Sequence, residues 1–355
     1  MVEDDRRQSK LSRNYQLAEQ IVFVDGLAGC GKTLFSPIIA SLDRVELLHY
    51  SLNIENICAL KYLNKISDDA AISMIQIQAD LMIYEIMMSR NVNFRFKDLS
   101  SIWRDPFPWR YLKRLFQKGD AVIPERVKIE RPILHLTTHN LLGFSEPIFA
   151  GFGEKAKFIE IARHPLYMIK QQALNWKAWE QSPRNFHIQI KFQEDQVPYT
   201  ASGWEDLFFN ATPVEKAVYE MEMIIACTEK TKKFLASEYQ APVLTIPFEK
   251  FVLDPEPHMK EIESLLNTER SKKTCKIMKK QNVPRKMYAD GIGLKIYERC
   301  GWEPPQSQDE IKEFEIRWNY VKENASSEAL ERFSKLCLSY EEKYLNSRLI
   351  DKYKN

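Results

Sequence analysis

Three places far apart in the chain carry residues suited to handling a phosphorylated group. Gly26, Leu27, Ala28, Gly29, Cys30, Gly31, Lys32 and Thr33 satisfy the pattern GxxxxGK[ST]. In such a loop the glycines let successive backbone N–H groups face one concavity, and the lysine adds a full positive charge. Thr33 offers a hydroxyl to a phosphate oxygen or to Mg²⁺. His139 ends the stretch ILHLTTH, and Arg163 stands near the end of KFIEIARHP. An imidazole takes a proton readily near neutral pH, and a guanidinium grips phosphate with two parallel hydrogen bonds. An anion site with a base beside it suits transfer of an activated group to a hydroxyl or an amine.

These residues must be held by a parallel sheet. IVFV, residues 21 to 24, is a short apolar run rich in β-branched residues, which reads as a buried strand. The stretch after Lys32 has apolar positions at Leu34, Ile38, Ile39 and Leu42, so strand, loop and helix follow in the order a phosphate loop needs. Further strands are expected in PILHLTTH, KFIEIA and PVLTIP, with helices between the last two. TPVEKAVYEMEMIIACTEKTKKFL opens with Thr212, Pro213 and Glu215, a capping-box start. Strands alternating with helices imply an α/β fold, a phosphate-loop-type parallel sheet flanked by helices. The strand tips at its carboxyl edge are where ligands sit, so the loop, His139 and Arg163 are expected to meet in one crevice.

Around this frame, residues 1 to 18 read as a flexible tail and 19 to 355 as a single domain. A large helical insertion is expected over about 53 to 118, with charged helices from about 309 to 355. The Met and Ile stripe of DDAAISMIQIQADLMIYEIMMSR belongs to the core. HIQIKF alternates like a hairpin strand within a polar stretch that reads as a lid or a surface excursion. SRNVNFRFKDLSSIWR interleaves Arg with aromatics and reads as a half-buried connector. Trp176, Trp179 and Trp204 are expected to pack in the core or rim rather than stack on a sugar. His135 and His139 are four apart on a strand, so they form no helical metal pair.

Composition narrows the class. Hydrophobic residues are 44% and aromatics 12%, enough for a real core and against disorder. Lys+Arg number 51 and Asp+Glu 49, a net charge of +2; a general nucleic-acid or membrane-surface binder would show a larger excess. Six cysteines without a CxxC pair suggest reduced thiols. A polar start without an apolar stretch suggests no signal peptide, and no run reaches the length of a spanning helix. A cytoplasmic protein without a transmembrane segment is expected.

At four places in order, over about residues 21 to 302, the chain resembles the P-loop sulfotransferases, which use 3′-phosphoadenosine 5′-phosphosulfate (PAPS). The loop at 26 to 33 matches where that family holds the 5′-phosphosulfate. Thr138-His139 resembles its Thr-His pair, whose histidine deprotonates the acceptor. FIEIARHPLYMIKQQ is similar to its strand ending in Arg-x-Pro, whose Arg holds the 3′-phosphate. IPFEKFVLDPEPHMKEIESLLN is similar to its Tyr-Glu-Asp-Leu segment with a following proline and helix. The resemblance implies His139 and Lys32 as catalytic groups and Arg163 as the 3′-phosphate cation. Gln171 stands where the family has a serine on that phosphate, and Arg285 and Lys286 where it has a late cation. The family needs no metal. The chain departs from it in having Gly29 where the loop usually carries Lys or Arg, and Lys32 where it carries Thr. The family's late glycine-rich segment is echoed faintly by Asp290-Gly291-Ile292-Gly293.

Three classes remain open on the residues alone. They are a PAPS-dependent sulfotransferase, an ATP- or GTP-dependent kinase or NTPase, and a catalytically silent nucleotide binder. The second draws on Lys32-Thr33 but needs a strand-end Asp for Mg²⁺, and the second buried strand ends in Thr-His instead. By analogy with the family, the acceptor is a glycan, a lipid-linked precursor or a small metabolite; nucleic acid is not expected as a partner.

Overall fold

The computed structural model describes residues 9–179, 182–240, 243–288, 309–347 and 350. The expected glycine-rich echo at Asp290, Gly291, Ile292 and Gly293, the side chain of Trp179, and the tail before residue 9 lie outside these residues.

The protein is a mixed α/β fold with a parallel five-stranded sheet flanked by helices and a helical C-terminal part. Strand β1 (Ile21–Asp25) is wholly buried and runs through the glycine loop into α1 (Lys32–Ile39). A two-residue edge strand β2 (His49–Tyr50) follows, then α2 (Leu52–Tyr62), α3 (Asp68–Met87), α4 (Pro108–Arg114) and α5 (Ile123–Glu130). α2, α3 and α4 fall within the helical insertion expected over about 53 to 118, which is not helical between Met88 and Phe107, and α5 lies beyond it. β2 carries no sequence signal, because two residues are too few for alternation to register.

β3 (Leu134–Thr137) and β4 (Ala156–Ala162) flank β1 on either side, with α6 (Glu146–Phe152) between them in sequence. After β4 come α7 (Ile169–Trp179) and an antiparallel hairpin of β5 (Gln189–Phe192) and β6 (Asp195–Pro198). α8 (Glu205–Asn210) leads to α9 (Pro213–Glu238), whose N-terminus bears the expected capping box between Thr212 and Glu215. β7 (Val243–Pro247), α10 (Phe248–Leu253), α11 (Pro255–Leu266) and α12 (Thr274–Lys280) follow. α13 (Glu310–Asn324) and α14 (Ser327–Tyr340) are the charged helices expected from 309 onward.

The sheet order is β2-β3-β1-β4-β7, every pair parallel. The chain leaves β1 toward the β3 side and leaves β4 toward β7. Connections therefore diverge between β1 and β4, the place where such sheets open a ligand crevice.

Register decides what reaches that crevice. Asp25, the last residue of β1, lies level with Glu160, so β4 extends past β1 through Ile161 and Ala162. β3 ends with Thr137 level with Val24. Thr138 therefore stands beside Asp25, and Arg163 rises above the loop.

The apolar side chains of the sheet and the surrounding helices form one continuous buried cluster, from Ile21 and Phe35 through α3 and α9 to Phe333 of α14. Part of the N-terminal stretch expected to be flexible is tied down. Arg13 pairs with Asp80 of α3 at 2.7 Å, and Asp80 also accepts the N–H groups of Leu17 and Ala18. That buried carboxylate was not visible as an anchor in the sequence, because its partners are more than 60 residues away.

Candidate functional site

The loop between β1 and α1 takes its shape from two glycines. Gly26 has φ +142°, and a Cβ there would stand 2.6 Å from the Ile161 carbonyl of β4. Gly31 has φ +112°, and a Cβ there would overlap the ring of Phe248. Only glycine combines that backbone region with that closeness. The Cys30 N–H turns back to the Leu27 carbonyl at 3.2 Å. The Cys30 thiol is buried, and burial pushes its pKa up, so it is a filler rather than a nucleophile.

Lys32 opens α1 and is buried. Its Nζ donates to the carbonyls of Gly26 and Leu27, the second at 3.0 Å. The ammonium thus sits inside the loop, where an anion entering the concavity would meet it. Thr33 follows it in the first turn of α1, half-buried, with its own partner within the protein. Leu27, Ala28 and Gly29 form the loop's rim, and their carbonyls are read by residues from other elements.

Arg163 is one of these. Its Nη1 donates to the Gly29 carbonyl at 2.8 Å, its Cζ lies 4.3 Å from the Phe248 ring centre, and its buried Nε has no partner among the described residues. Burial lowers its pKa, and Glu249 acts in the opposite sense. A cation held in this way, with a donor unspent, is the complement of an anion. Arg285 lies 5.5 Å from the centre of the same Phe248 ring and is steadied by the Asn282 carbonyl, 2.9 Å from its Nε. The structure therefore brings Arg163, Arg285 and the loop around one aromatic ring. Lys286 is exposed, and among the described residues no hydrogen bond or ion pair ties it to the loop.

Gln171 stands in the first turn of α7, where its Cβ and Cγ pack beside Gly29 and its amide donates to Asn175 at 3.0 Å. The neighbouring Gln172, not singled out in the sequence, donates to the Ala28 carbonyl at 3.0 Å. The α7 N-terminus thus touches the loop at two consecutive residues.

On the other side of β1, the loop after β3 is organised by Asp25. This buried carboxylate accepts the Thr138 hydroxyl at 2.8 Å and the N–H groups of Leu141 and Leu142 at 3.1 and 2.8 Å. Both of its oxygens are taken, so it is a structural clamp. The run IVFVD does end in Asp, a signal present in the sequence but one that did not reveal these partners.

His139 follows directly on Thr138, with its side chain 40% exposed and its Nδ1 3.4 Å from Glu55 Oε1 of α2. The same oxygen accepts the His139 backbone N–H at 3.1 Å. Glu55 itself is buried. A carboxylate at Nδ1 leaves Nε2 as the ring nitrogen turned away from the protein's own acceptor. Tyr50 of β2 stacks over the imidazole at 6.1 Å, and His187, just before β5, meets it edge-on at 6.5 Å. Burial lowers the His187 pKa. The hairpin approaches this wall through Asn56, which donates to the Phe186 carbonyl at 3.1 Å.

Two other expectations resolve as packing. Trp176 and Trp204 meet Phe208 at 5.5 and 5.6 Å in a small cluster beneath the hairpin. The His164 ring is buried, accepting the Leu166 N–H at Nδ1 and pairing with Glu341 at 3.0 Å through Nε2. It locks the chain after Arg163 to the turn following α14.

The solved structures similar to this chain include three whose descriptions name sulfotransferases. Sulfotransferase STF9 of Mycobacterium avium matches at 14% identity over 87% of this chain and 77% of that one, with a TM-score of 0.39. Mouse sulfotransferase SULT7A1, complexed with PAP, matches at 13% identity over 97% and 90%, with a TM-score of 0.38. The sulfotransferase domain of the Synechococcus PCC 7002 olefin synthase matches at 11% identity over 88% and 98%, with a TM-score of 0.35. At these values no residue role is carried across from them. No protein-family model matches the chain, and no curated protein matches it.

Proposed function

We propose that the protein is a sulfotransferase that moves the sulfuryl group of PAPS to a hydroxyl or amine acceptor. The observation that carries this reading is the placement of Arg163 and His139 on opposite flanks of one glycine loop. A cation beyond the loop's apex suits a second phosphate on the nucleotide, and a base on the other flank suits an acceptor hydroxyl.

In this reading the loop N–H groups and Lys32 hold the 5′-phosphosulfate and stabilise charge that builds on the departing phosphate oxygen. Arg163 and Arg285 take the 3′-phosphate against Phe248. His139 Nε2 removes the acceptor proton as the new oxygen–sulfur bond forms and the sulfur–phosphate-oxygen bond breaks in line. Glu55 holds the imidazole by Nδ1 and stabilises the imidazolium that results. The products are a sulfated acceptor and adenosine 3′,5′-bisphosphate (PAP), and the proton leaves through His139. The acceptor enters along the wall of Tyr50, His187 and the hairpin; a glycan or a lipid-linked precursor is the class proposed by family analogy.

The Lys32-Thr33 pair favours a second reading, an ATP- or GTP-dependent kinase or NTPase. Isothermal titration separates the two. PAP binding in the absence of Mg²⁺, tighter than that of ATP or GTP with Mg²⁺, supports sulfuryl transfer. Mg²⁺-dependent ATP hydrolysis abolished by Lys32→Ala, with no preference for PAP, would replace it.

A further inference from the structure

Residues 89 to 118 hold eight Lys or Arg against two Asp, in a chain whose whole net charge is only +2. This stretch runs across the body of the protein after α3, with Ile102 and Tyr111 buried in the core. The Ser89 hydroxyl donates to the Tyr111 carbonyl at 2.7 Å, and the Asp120 N–H meets Met88 Sδ at 3.2 Å. The sequence suggested a half-buried connector over 89 to 104, and the stretch is buried at Ile102 and Tyr111, but most of its other aromatics are turned outward. Phe96 is 70% exposed, Trp109 74% and Phe116 90%, joined by Phe94, Trp103 and Leu115. Phe96 stacks on Trp103 at 5.1 Å, and the Trp103 indole N–H is fixed by the Phe94 carbonyl. Phe94, Phe96 and Trp103 are therefore held against one another at the surface.

The cations alternate with the rings. Arg95 and Lys97 flank Phe96, Arg104 follows Trp103, and Lys113 and Lys118 bracket Phe116; all five are exposed. Lys97, Arg104, Lys113 and Lys118 have no acidic partner among the described residues. The acidic groups nearby are committed elsewhere, Asp98 to Arg95 and Asp120 to Arg90. Amphipathic Trp belongs at a headgroup boundary, exposed Phe enters the apolar side of it, and unpaired Lys and Arg are drawn to anionic headgroups. Among the described residues no helix is long and apolar enough to cross a membrane.

We propose that residues 89 to 118 dock the protein onto the surface of an anionic phospholipid bilayer, with Phe96, Trp109 and Phe116 entering the interface and Lys97, Arg104, Lys113 and Lys118 meeting the headgroups. Charge complementarity and the alternation of rings with cations select this occupant over a protein partner. The surface also bears on the site, because α4 is tied to the chain that leads into β2. Tyr111 accepts the Leu47 N–H at its hydroxyl, and β2 ends in Tyr50 beside His139. The inference does not depend on the chemistry performed there.

The test is flotation of the full chain with vesicles of phosphatidylcholine alone or with about a third phosphatidylglycerol. Each exposed cation beside an anionic leaflet is worth about fivefold in partitioning. The expected result is at least tenfold preference for the anionic vesicles, reduced by raised salt. Phe96→Ser with Trp109→Ser, or Lys97→Glu with Lys113→Glu, should lower binding at least tenfold while thermal unfolding and PAP affinity stay as in the parent. Equal recovery from both vesicle types, or anionic binding untouched by either pair of substitutions, overturns the proposal. Binding of a single-stranded oligonucleotide lost with the same substitutions, without vesicle binding, overturns it in favour of nucleic acid.

Discussion

Arg163 Nη1 and the Gly29 carbonyl meet at 2.8 Å, joining the tip of β4 to the apex of the glycine loop. The contact follows from register. β4 outruns β1 past Glu160, so the first residue beyond it arrives above the loop rather than beside it. Phe248 closes the arrangement from below, packed on Gly31 and beneath both Arg163 and Arg285. The glycine loop and the strand-tip arginine thus form one packed unit, the one proposed to take the nucleotide's phosphates.

On the opposite flank, His139→Ala should lower turnover by about a hundredfold or more, the usual contribution of a general base. PAP affinity should stay unchanged, since the proposal puts His139 on the acceptor side. Glu55→Gln should lower kcat about tenfold with acceptor KM and PAP affinity unaltered. Nitrogen-15 NMR of the His139 ring should show the Nδ1–H tautomer in the parent and its loss in Glu55→Gln. Unchanged turnover in His139→Ala retires it as the base.

Asp25 accepts three hydrogen bonds from the loop that carries His139. Asp25→Ala leaves three donors without a partner in a dry interior, at a cost of about 3 kcal/mol or more. Urea unfolding measures it, and a loss below about 1 kcal/mol would contradict the clamp.

Two histidines on the β2–β3 edge, His135 buried and His49 half-buried, set an acid limit to stability. Burial lowers His135 to about 3 and His49 to about 4, so both are neutral when folded. In the unfolded chain they take protons near pH 6.5, and the stability they contribute, whole above that pH, is lost as pH falls toward 4 and then 3. Each histidine changes stability by about 1.4 kcal/mol per pH unit in this window. Among the described residues, neither ring nitrogen of His135 makes a well-formed hydrogen bond. His135→Leu should therefore be more stable than the parent, and the difference should widen by about 2 kcal/mol between pH 7 and pH 5. Asp105, raised by burial to about 7, changes stability in the opposite sense but equally in both proteins, so it cancels. A difference that stays constant with pH would contradict the account.

What could be read from the sequence was local. The glycine loop announces itself because its apolar strand, its glycines and its helix are contiguous, and β3, β4 and β7 are short apolar runs with polar borders. The Thr212 capping box and the β5 hairpin strand were visible for the same reason. The site's supporting residues were not. Glu55 meets His139 across 84 positions, and Asp25 reaches Leu142 across 117. Phe248 matters through a glycine more than 200 residues earlier. Such partners are fixed by sheet order and register, which a local pattern does not encode. The half-buried connector expected over residues 89 to 104 is buried at Ile102, and the sequence did not indicate that Phe94, Phe96 and Trp103 face outward.

The claim that everything rests on is that Arg163 selects a nucleotide bearing a 3′-phosphate. Calorimetry of PAP against adenosine 5′-phosphate, for the parent and for Arg163→Ala, measures it directly. The account predicts that the parent favours PAP by about a hundredfold, as a charged guanidinium–phosphate pair supplies, and that the substitution erases that preference while leaving adenosine 5′-phosphate binding in place. Equal affinity of the parent for the two nucleotides, or a preference that survives in Arg163→Ala, would contradict it.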